Sequence, residues 1–382
     1  MPFCLRQASI FAGNLWPSPS IASQGIYEQH ARLISGNRVL EYVSVRRRNW
    51  TVMRLLFIGG SGYISTATSR MAIAQGLDVY LLNRGTTVAE LPGAHLLTAD
   101  IHDREAVRAV LEGLEFDAVV DWIAYTPADI ERDLTLFEGR VAQYIFISSA
   151  SVYQKPPTHY VITESTPLAN PYWEYSRDKI ACEARLMRAY HELGFPVTVV
   201  RPSMTYDTNL PIALGGWGTY TLADRLIRGL PIIVHGDGSS LWVVTHADDL
   251  ARGLIGLLGN ARAIGQAFHI TSDDVMTWNQ VYQHIAAGLG AEANIVHIPS
   301  DFIARVAPQM AGSLMGDKTW SVVFDNSKIK SFVPGFEATV PFREGIRRTL
   351  AWFSAEPSRR YVDESVHAEM DRILGIYGKA VG

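Results

Sequence analysis

The chain has 382 residues, a length that predicts two or three domains at about 150 residues each. Apolar residues make up 48% of the chain and charged residues 19%, which excludes the disordered and fibrous classes of protein. The formal net charge of −4 disfavours nucleic acid and anionic lipid as partners. No apolar run reaches the roughly 18 residues that a membrane helix needs, so we expect no membrane association.

The cysteine content bears on the compartment and on metal binding. Cys4 and Cys182 are too few for a disulfide framework, and neither clusters with histidines at metal-ligand spacing. We therefore expect a cytoplasmic protein that holds no metal.

The first 52 residues differ from the rest of the chain. They follow neither a helical nor a strand period, and they carry six arginines against two acidic residues, Glu28 and Glu41. We interpret residues 1–52 as a disordered leader or as sequence upstream of a physiological start at Met53, directly before the first strand. The alternative is an organelle transit peptide, which is also basic and poor in acidic residues.

From residue 53 onward, apolar strands alternate with amphipathic helices. The predicted strands are RLLFIGG, DVYLLNR, HLLTAD, DAVVDWIA, QYIFISSASVY and PVTVVRPS. Continuous apolar strands joined by helices predict a parallel sheet covered on both faces. The fold class is therefore α/β, with a doubly wound parallel sheet of the Rossmann type.

The pattern changes after residue 202. Loops lengthen, glycine and proline accumulate in LPIALGGWG, and helices are predicted near 277–289, 341–353 and 361–377. We expect a dinucleotide-binding domain over 53–202, with a returning segment at about 231–270. Residues 203–230 and 271–382 would then form a smaller, interleaved α/β substrate-binding domain.

A glycine turn follows the first strand. FIGGSGYIS places Gly59, Gly60 and Gly62 between a strand and a helix, where backbone N–H groups can meet a pyrophosphate at the helix N-terminus. A glycine-rich turn without a ligand gives the same pattern, but strand, turn and helix occur here in the required order. The last position of this glycine pattern is occupied by Ser65, which is a small residue and a mild departure from the pattern.

The end of the second strand bears on the choice of cofactor. In the NAD form of this fold, an acidic residue there binds the ribose 2′-hydroxyl. Here the chain has Asn83 and Arg84, a neutral amide and a guanidinium that could bind a 2′-phosphate. The pair favours NADP over NAD, although an exposed loop arginine is common.

Tyr175 and Lys179 are four residues apart on a predicted helix, so both side chains lie on one face. The ordinary pKa of tyrosine is about 10, too high for a base at neutral pH. An ammonium about 4 Å away contributes roughly 4 kcal/mol, which lowers the pKa of a phenol by at most about three units. The spacing therefore predicts a catalytic tyrosine activated by a lysine, or else a packed tyrosine beside a surface lysine.

The chain resembles the extended short-chain dehydrogenase/reductase family, of the NAD-dependent epimerase/dehydratase type. The resemblance runs from about residue 53 to 355 and rests on motifs in the family's order: GGSGYIS, TAD, SSASVY, YSRDK, VRPSMTY and HGDGSSLWVVTHADDLA.

The resemblance implies roles for individual residues. Ser149 would orient the substrate oxygen, Tyr175 would donate or accept the proton, and Lys179 would bind the nicotinamide ribose and depress the pKa of the tyrosine. The remaining residues that it implies for cofactor binding are Gly59, Gly62, Tyr63 and Ile64 at the pyrophosphate, Asp100 and Ile101 at the adenine, and Pro202 at the nicotinamide.

Two departures from the family narrow the reaction. Sugar-nucleotide 4,6-dehydratases carry an Asp-Glu pair where this chain has Ala150 and Ser151, so the acid and base for elimination are missing. Nucleotide-sugar epimerases hold the diphosphate with an arginine where this chain has Trp242, and a neutral aromatic cannot bind phosphate in the bidentate manner. The alternative for Trp242 is burial in the core, which is the more common fate of a tryptophan on an apolar strand.

We therefore expect an NAD(P)-dependent oxidoreductase or epimerase. Hydride transfer would occur at a hydroxyl- or carbonyl-bearing carbon of a small molecule, such as a sugar derivative. One alternative is a non-catalytic NAD(P)- or RNA-binding member of the same fold, and another is a nucleotide-sugar epimerase. The sequence leaves the oligomeric state open, with a homodimer as one option.

Overall fold

The computed structural model describes residues 52–85 and 91–382. The expectation of a leader over residues 1–52 therefore concerns a segment that, apart from Val52, lies outside the described residues. In chain order, the strands are β1 (Arg54–Ile58), β2 (Asp78–Asn83), β3 (His95–Thr98), β4 (Phe116–Asp121), β5 (Val141–Ile147), β6 (Val161–Ile162), β7 (Val197–Pro202), β8 (Met204–Tyr206), β9 (Ile232–His235), β10 (Leu241–His246), β11 (Gln266–Ile270), β12 (Val275–Thr277), β13 (Ile295–Ile298) and β14 (Val323–Phe324).

Helices connect these strands. They are α1 (Ser65–Ala74), α2 (Arg104–Val110), α3 (Pro127–Phe137), α4 (Glu174–Leu193), α5 (Thr221–Ile227), α6 (Ala247–Leu257), α7 (Trp278–Gly288), α8 (Ser300–Val306), α9 (Pro308–Ser313), α10 (Ser327–Phe332), α11 (Phe342–Ala355) and α12 (Glu364–Val381). A π-helical turn, Leu314–Lys318, follows α9.

Seven parallel strands form the central sheet in the order β11-β7-β5-β4-β1-β2-β3. The chain runs outward from β1 to β3, and then returns to start the other half at β4. This reversal places the carboxyl ends of β1 and β4 side by side, which is where open parallel sheets bind ligands. The doubly wound parallel sheet predicted from the sequence is confirmed.

Both faces of the sheet are covered by helices. Successive side chains of each strand point to opposite faces, so each strand contributes to two cores. On β1, Leu56 and Ile58 join a core with residues of α2, α3 and α4. Leu55 and Phe57 join a second core with residues of α1, α6 and α10. Burial on two faces explains why the strands are continuously apolar.

A third core lies in the C-terminal part of the chain. It is built around Trp242 of β10 and Trp278 of α7, whose ring centroids are 5.2 Å apart. Trp242 is 1% exposed and is therefore core. The strands here form small sheets, β12-β10-β8, β13-β9 and β14-β6. The described residues belong to one compact unit, and the predicted domain boundaries within it remain predictions.

Within residues 52–85 and 91–382, every helix is too short or too polar to cross a bilayer.

Candidate active site

The glycine turn joins β1 to α1. Gly59 has φ +86°, and a Cβ atom there would lie 2.6 Å from Ile123 Cγ2, so both the backbone angle and the available space require glycine. The Ser65 hydroxyl accepts a hydrogen bond from the Gly62 N–H at 2.8 Å and donates to the Gly59 carbonyl at 3.2 Å. The serine that stands at position 65 in place of glycine thus stabilises the turn by hydrogen bonds within it.

This turn fits a dinucleotide pyrophosphate. Ile64, at the N-cap of α1, provides no side-chain hydrogen bond to the first turn of the helix, and the first turn contains no acidic residue. Backbone N–H groups without a side-chain cap suit an anion. Gly62 and Tyr63 are exposed here, and Ile64 is half-buried.

Four residues predicted to bind the adenosine half lie along one edge of the sheet. Asn83 ends β2, and its side-chain oxygen accepts from the Gly85 N–H at 2.9 Å. Arg84 is exposed. Asp100, also exposed, accepts from the His102 N–H at 3.0 Å, while Ile101 is 4% exposed.

Ser149, Tyr175 and Lys179 come together beyond the carboxyl end of β5. Ser149 lies two residues after the end of β5, and its hydroxyl acts to lower the pKa of the nearby Tyr175, which lies in the first turn of α4. Lys179 lies one turn further along α4, with its Nζ 5.8 Å from the centroid of the Tyr175 ring. Pro202, the last residue of β7, is buried.

The ammonium of Lys179 is held by backbone oxygens. Its Nζ donates to the carbonyls of Ala124 and Ile147, both at 2.7 Å. It also lies 4.8 Å from the ring centroid of Tyr125 and 4.7 Å from that of Phe146. Burial lowers the pKa of Lys179 to about 8.

The expectation that Lys179 depresses the pKa of Tyr175 is wrong for this structure. Burial raises the pKa of Tyr175 to about 12, and the nearby Ser149 hydroxyl opposes this rise only in part. The physical reason is that the lysine is directed to two carbonyl oxygens and not to the phenol oxygen. The phenol is consequently protonated at neutral pH.

A chain of serine hydroxyls supports Ser149. The Ser176 hydroxyl donates to Ser151 Oγ at 2.8 Å, and Ser151 Oγ lies 2.9 Å from Ser149 Oγ. Because Ser151 accepts from Ser176, it can donate to Ser149, which leaves the Ser149 hydrogen free for Tyr175 or for a substrate oxygen. Ser151 stands at one of the two positions where the dehydratases carry carboxylates. The sequence did not predict that it would position Ser149.

Sequence reasoning also missed Asp317 and Tyr125. Tyr125 follows β4, and its ring centroid lies 6.3 Å from that of Tyr175. Asp317 lies in the π-helical turn and acts electrostatically on both Tyr175 and Lys155. Residue 317 is 142 positions after Tyr175, and we find no local pattern in the sequence that connects the two.

Comparisons with known proteins identify the family. Residues 55–271, more than half of the chain, match the NAD dependent epimerase/dehydratase family. The chain is 28% identical over 291 residues to the 2′-dehydrokanamycin reductase of Streptomyces kanamyceticus, which covers 75% of this chain and 80% of the reductase. It is 27% identical over 265 residues to the chloroplast stem-loop binding protein of 41 kDa b of Arabidopsis thaliana. This match covers 65% of this chain and 67% of the chloroplast protein.

A solved structure shows the same fold. The UDP-glucose 4-epimerase of Thermus thermophilus, in complex with NAD, matches with a TM-score of 0.63 and 19% identity, over 79% of this chain and 99% of the epimerase.

A doubly wound sheet with a glycine turn at the end of β1 is the fold of a class of dinucleotide-binding enzymes. The chain belongs to the NAD dependent epimerase/dehydratase family. It is an NAD(P)-dependent enzyme with oxidoreductase or epimerase chemistry. The predicted family and enzyme class are confirmed.

Proposed function

We propose that this protein is an NADP-preferring oxidoreductase that acts on a carbonyl- or hydroxyl-bearing carbon of a sugar derivative without a nucleotide group. The observation that carries the proposal is the convergence of Ser149 and Tyr175 beyond the end of β5, with Lys179 one helical turn away. Similarity to a reductase, 2′-dehydrokanamycin reductase, supports net reduction over epimerisation.

Tyr175 and Ser149 have distinct parts in this chemistry. The bound nicotinamide supplies or accepts the hydride. Tyr175, protonated at neutral pH, donates its proton to the oxygen of the carbonyl as that oxygen gains negative charge. Ser149 orients the same oxygen, because its hydroxyl is fixed by Ser151 and adjoins the phenol.

The remaining site residues hold the cofactor in this proposal. Gly59, Gly62 and the N-terminus of α1 would receive the pyrophosphate, and Lys179 would donate to the nicotinamide ribose. Arg84 supports the preference for NADP, since its exposed guanidinium adjoins the end of β2 with no carboxylate at residue 83 to repel a 2′-phosphate.

The absence of a nucleotide from the substrate rests on Trp242. At the position where nucleotide-sugar epimerases place a diphosphate-binding arginine, this chain has a core tryptophan that packs against Trp278. An indole has one neutral N–H donor and cannot balance the charge of a diphosphate.

A second candidate function is binding without catalysis, for which the specific observation is similarity to a chloroplast stem-loop binding protein. The net charge of −4 and the intact serine, tyrosine and lysine favour the enzyme.

Purified protein should be tested for oxidation of NADPH and NADH with a panel of sugar-derived aldehydes and ketones, and with UDP-glucose and UDP-galactose for epimerisation. We expect carbonyl-dependent oxidation of NADPH, with slower oxidation of NADH. Interconversion of the UDP-sugars would replace this proposal with the nucleotide-sugar epimerase. Binding of stem-loop RNA, with neither carbonyl reduction nor epimerisation, would replace the oxidoreductase proposal with the proposal of an RNA-binding protein.

A further inference from the structure

Two buried carboxylates bind four successive backbone N–H groups after β4, those of residues 123–126. Asp121 accepts hydrogen bonds from the first two N–H groups, at 2.7 and 2.8 Å. Asp129, in the first turn of α3, accepts from the other two, at 3.0 and 2.9 Å. The 123–126 segment is thus held along its whole length by these two side chains.

One guanidinium joins the two carboxylates. Arg132, also on α3, donates from Nη2 to Asp121 at 3.3 Å and from Nη1 to Asp129 at 3.0 Å. Its Nε donates to Asp133 at 2.8 Å. All three nitrogens of the guanidinium are therefore engaged, which fixes its orientation. A change at Arg132 would reach the 123–126 segment through both carboxylates.

The 123–126 segment in turn holds the ammonium of Lys179. The carbonyl of Ala124 accepts one hydrogen from Lys179 Nζ, and that of Ile147 accepts another, both at 2.7 Å. The ring centroid of Tyr125 lies 4.8 Å from the same Nζ. An ammonium has three hydrogens to donate. With two of them given to fixed carbonyls, the position of the segment determines the direction of the third.

The charges of this cluster balance only when Lys179 is counted. Burial and the charge of Asp121 raise the pKa of Asp133 well above its ordinary value, which favours the neutral carboxyl. Asp121 and Asp129 then carry two negative charges, and Arg132 supplies one positive charge. The Lys179 ammonium supplies the second. Burial lowers the pKa of Lys179, and the two carboxylates oppose that effect.

We propose that Arg132 and Asp129 are positioning residues for cofactor binding, because through the 123–126 segment they direct the free hydrogen of the Lys179 ammonium at the cofactor. Both residues are buried, at 5% and 9% exposed, and act through Lys179. The inference deepens the proposed function and rests on it for the contact between Lys179 and the nicotinamide ribose.

Asp129 also has a structural role. Together with Thr126 it forms the capping box at the start of α3. A capping box stabilises the beginning of a helix whether or not a cofactor is bound. An effect on Lys179 therefore has to be separated from an effect on the stability of the fold.

The test is a fluorescence titration of the full chain with NADPH and with NADH between pH 7 and pH 9.5. Asp129→Asn keeps one oxygen for the backbone N–H groups but presents an amide to Arg132. Arg132→Lys keeps the charge but lacks the planar fork that joins the carboxylates. We expect either substitution to raise the Kd of both cofactors about three- to tenfold at pH 7, the equivalent of one hydrogen bond.

The pH dependence distinguishes the two variants. In the wild type, the Kd should rise above about pH 8, where Lys179 loses its proton. Asp129→Asn removes a negative charge that favours the ammonium, so this rise should begin at a lower pH. Arg132→Lys keeps the net charge and should leave the onset nearly unchanged. The other titratable groups facing Lys179 are the same in both variants: Asp121, Tyr125, Tyr175, Cys182 and Glu183. His102 faces Asp129 itself, with Nδ1 3.9 Å from Oδ1.

Two comparisons exclude a purely structural effect. In a Lys179→Met background, Asp129→Asn and Arg132→Lys should leave the Kd nearly unchanged, because the group that they position is gone. Glu131→Gln is the matched control. Glu131 is also on α3 and accepts from Nη2 of Arg185 on α4 at 3.0 Å, but its side chain is 54% exposed, so the Kd should stay at the wild-type value. Unfolding curves establish that each variant is folded, and if Arg132→Lys does not fold, Asp129→Asn carries the test alone.

Three results would overturn the inference: an unchanged Kd in Asp129→Asn, a rise in Kd that is equally large in the Lys179→Met background, or an onset of the pH-dependent rise that is the same in Asp129→Asn as in the wild type. The proposed function fails separately, because the Kd does not depend on turnover. A wild type that binds NADPH but reduces no carbonyl contradicts the proposed function and leaves the positioning role of Asp129 and Arg132 in place.

Discussion

Lys179 lies one helical turn from Tyr175, yet its ammonium donates to two backbone carbonyls and not to the phenol. The pKa of the lysine is lowered to about 8, and that of the tyrosine is raised to about 12. Burial causes both shifts, because it disfavours whichever form is charged. A phenol that stays protonated at neutral pH suits donation of a proton during carbonyl reduction.

Lys179 should make stability depend on pH. In the unfolded chain a lysine titrates near pH 10.4, whereas in the folded protein the pKa is about 8, so between these values the unfolded state binds more protons. The unfolding free energy of the wild type should therefore rise with pH relative to that of Lys179→Met, by about 2 kcal/mol between pH 7.5 and 9.5. Denaturant titration at both pH values measures the difference, and parallel pH dependences would show that the lysine is not shifted.

Ser151 should act through Ser149. Ser151→Ala removes the hydroxyl that fixes Ser149, so we expect kcat to fall about two- to tenfold, the equivalent of one neutral hydrogen bond, with the Kd for NADPH unchanged. Ser354→Ala, at an exposed position, is the control. An unchanged kcat in Ser151→Ala would mean that the backbone alone positions Ser149.

Gly59 should be more sensitive to alanine than another glycine with the same kind of backbone. Gly59 and Gly76 both have positive φ, so alanine costs about 1 kcal/mol or more at either. Only at Gly59 would the new Cβ meet the Ile123 side chain, at 2.6 Å, which adds about 1–3 kcal/mol. Denaturant unfolding of Gly59→Ala and Gly76→Ala checks the difference, and equal losses would mean that Ile123 moves aside.

The fold could be predicted from the sequence because its strands are buried on both faces. β1, β4 and β7 are mostly apolar and are bounded by turns, and the helices α3 and α4 show a 3.6-residue period. The strands of two or three residues, such as β6 and β8, could not be predicted, because tertiary pairing stabilises them and no period is visible over so short a length.

The site was predictable only in part, for a physical reason. Tyr175 and Lys179 lie on one helix, so their spacing along the chain gives their relation in space. By contrast, Asn170 joins Ser151 to Gly316, next to Asp317, across segments that are far apart in the sequence. The pKa of Tyr175 depends on burial and on the direction of the Lys179 side chain, and neither can be inferred from the interval of four residues.

Arg84 should discriminate between the two cofactors. Arg84→Ala should weaken NADPH binding by about 1.5–3 kcal/mol, as expected for loss of a charged hydrogen bond, and leave NADH binding nearly unchanged. Arg188→Ala, an exposed arginine on α4, is the control for a general change of charge. Fluorescence titration of both cofactors measures the effect, and equal losses for NADPH and NADH would remove the basis for a preference for NADP.

Tyr175→Phe tests the central claim most directly. The substitution deletes one oxygen, so packing and cofactor affinity should change little, while kcat for carbonyl reduction should fall by at least about a hundredfold, since a positioned proton donor contributes 10²- to 10⁴-fold. Tyr361→Phe, at a position 63% exposed, should behave as the wild type. The measurement is kcat together with the Kd for NADPH. A large loss of kcat with an unchanged Kd is the predicted result, and wild-type turnover in Tyr175→Phe would contradict the assignment of this tyrosine as the proton donor.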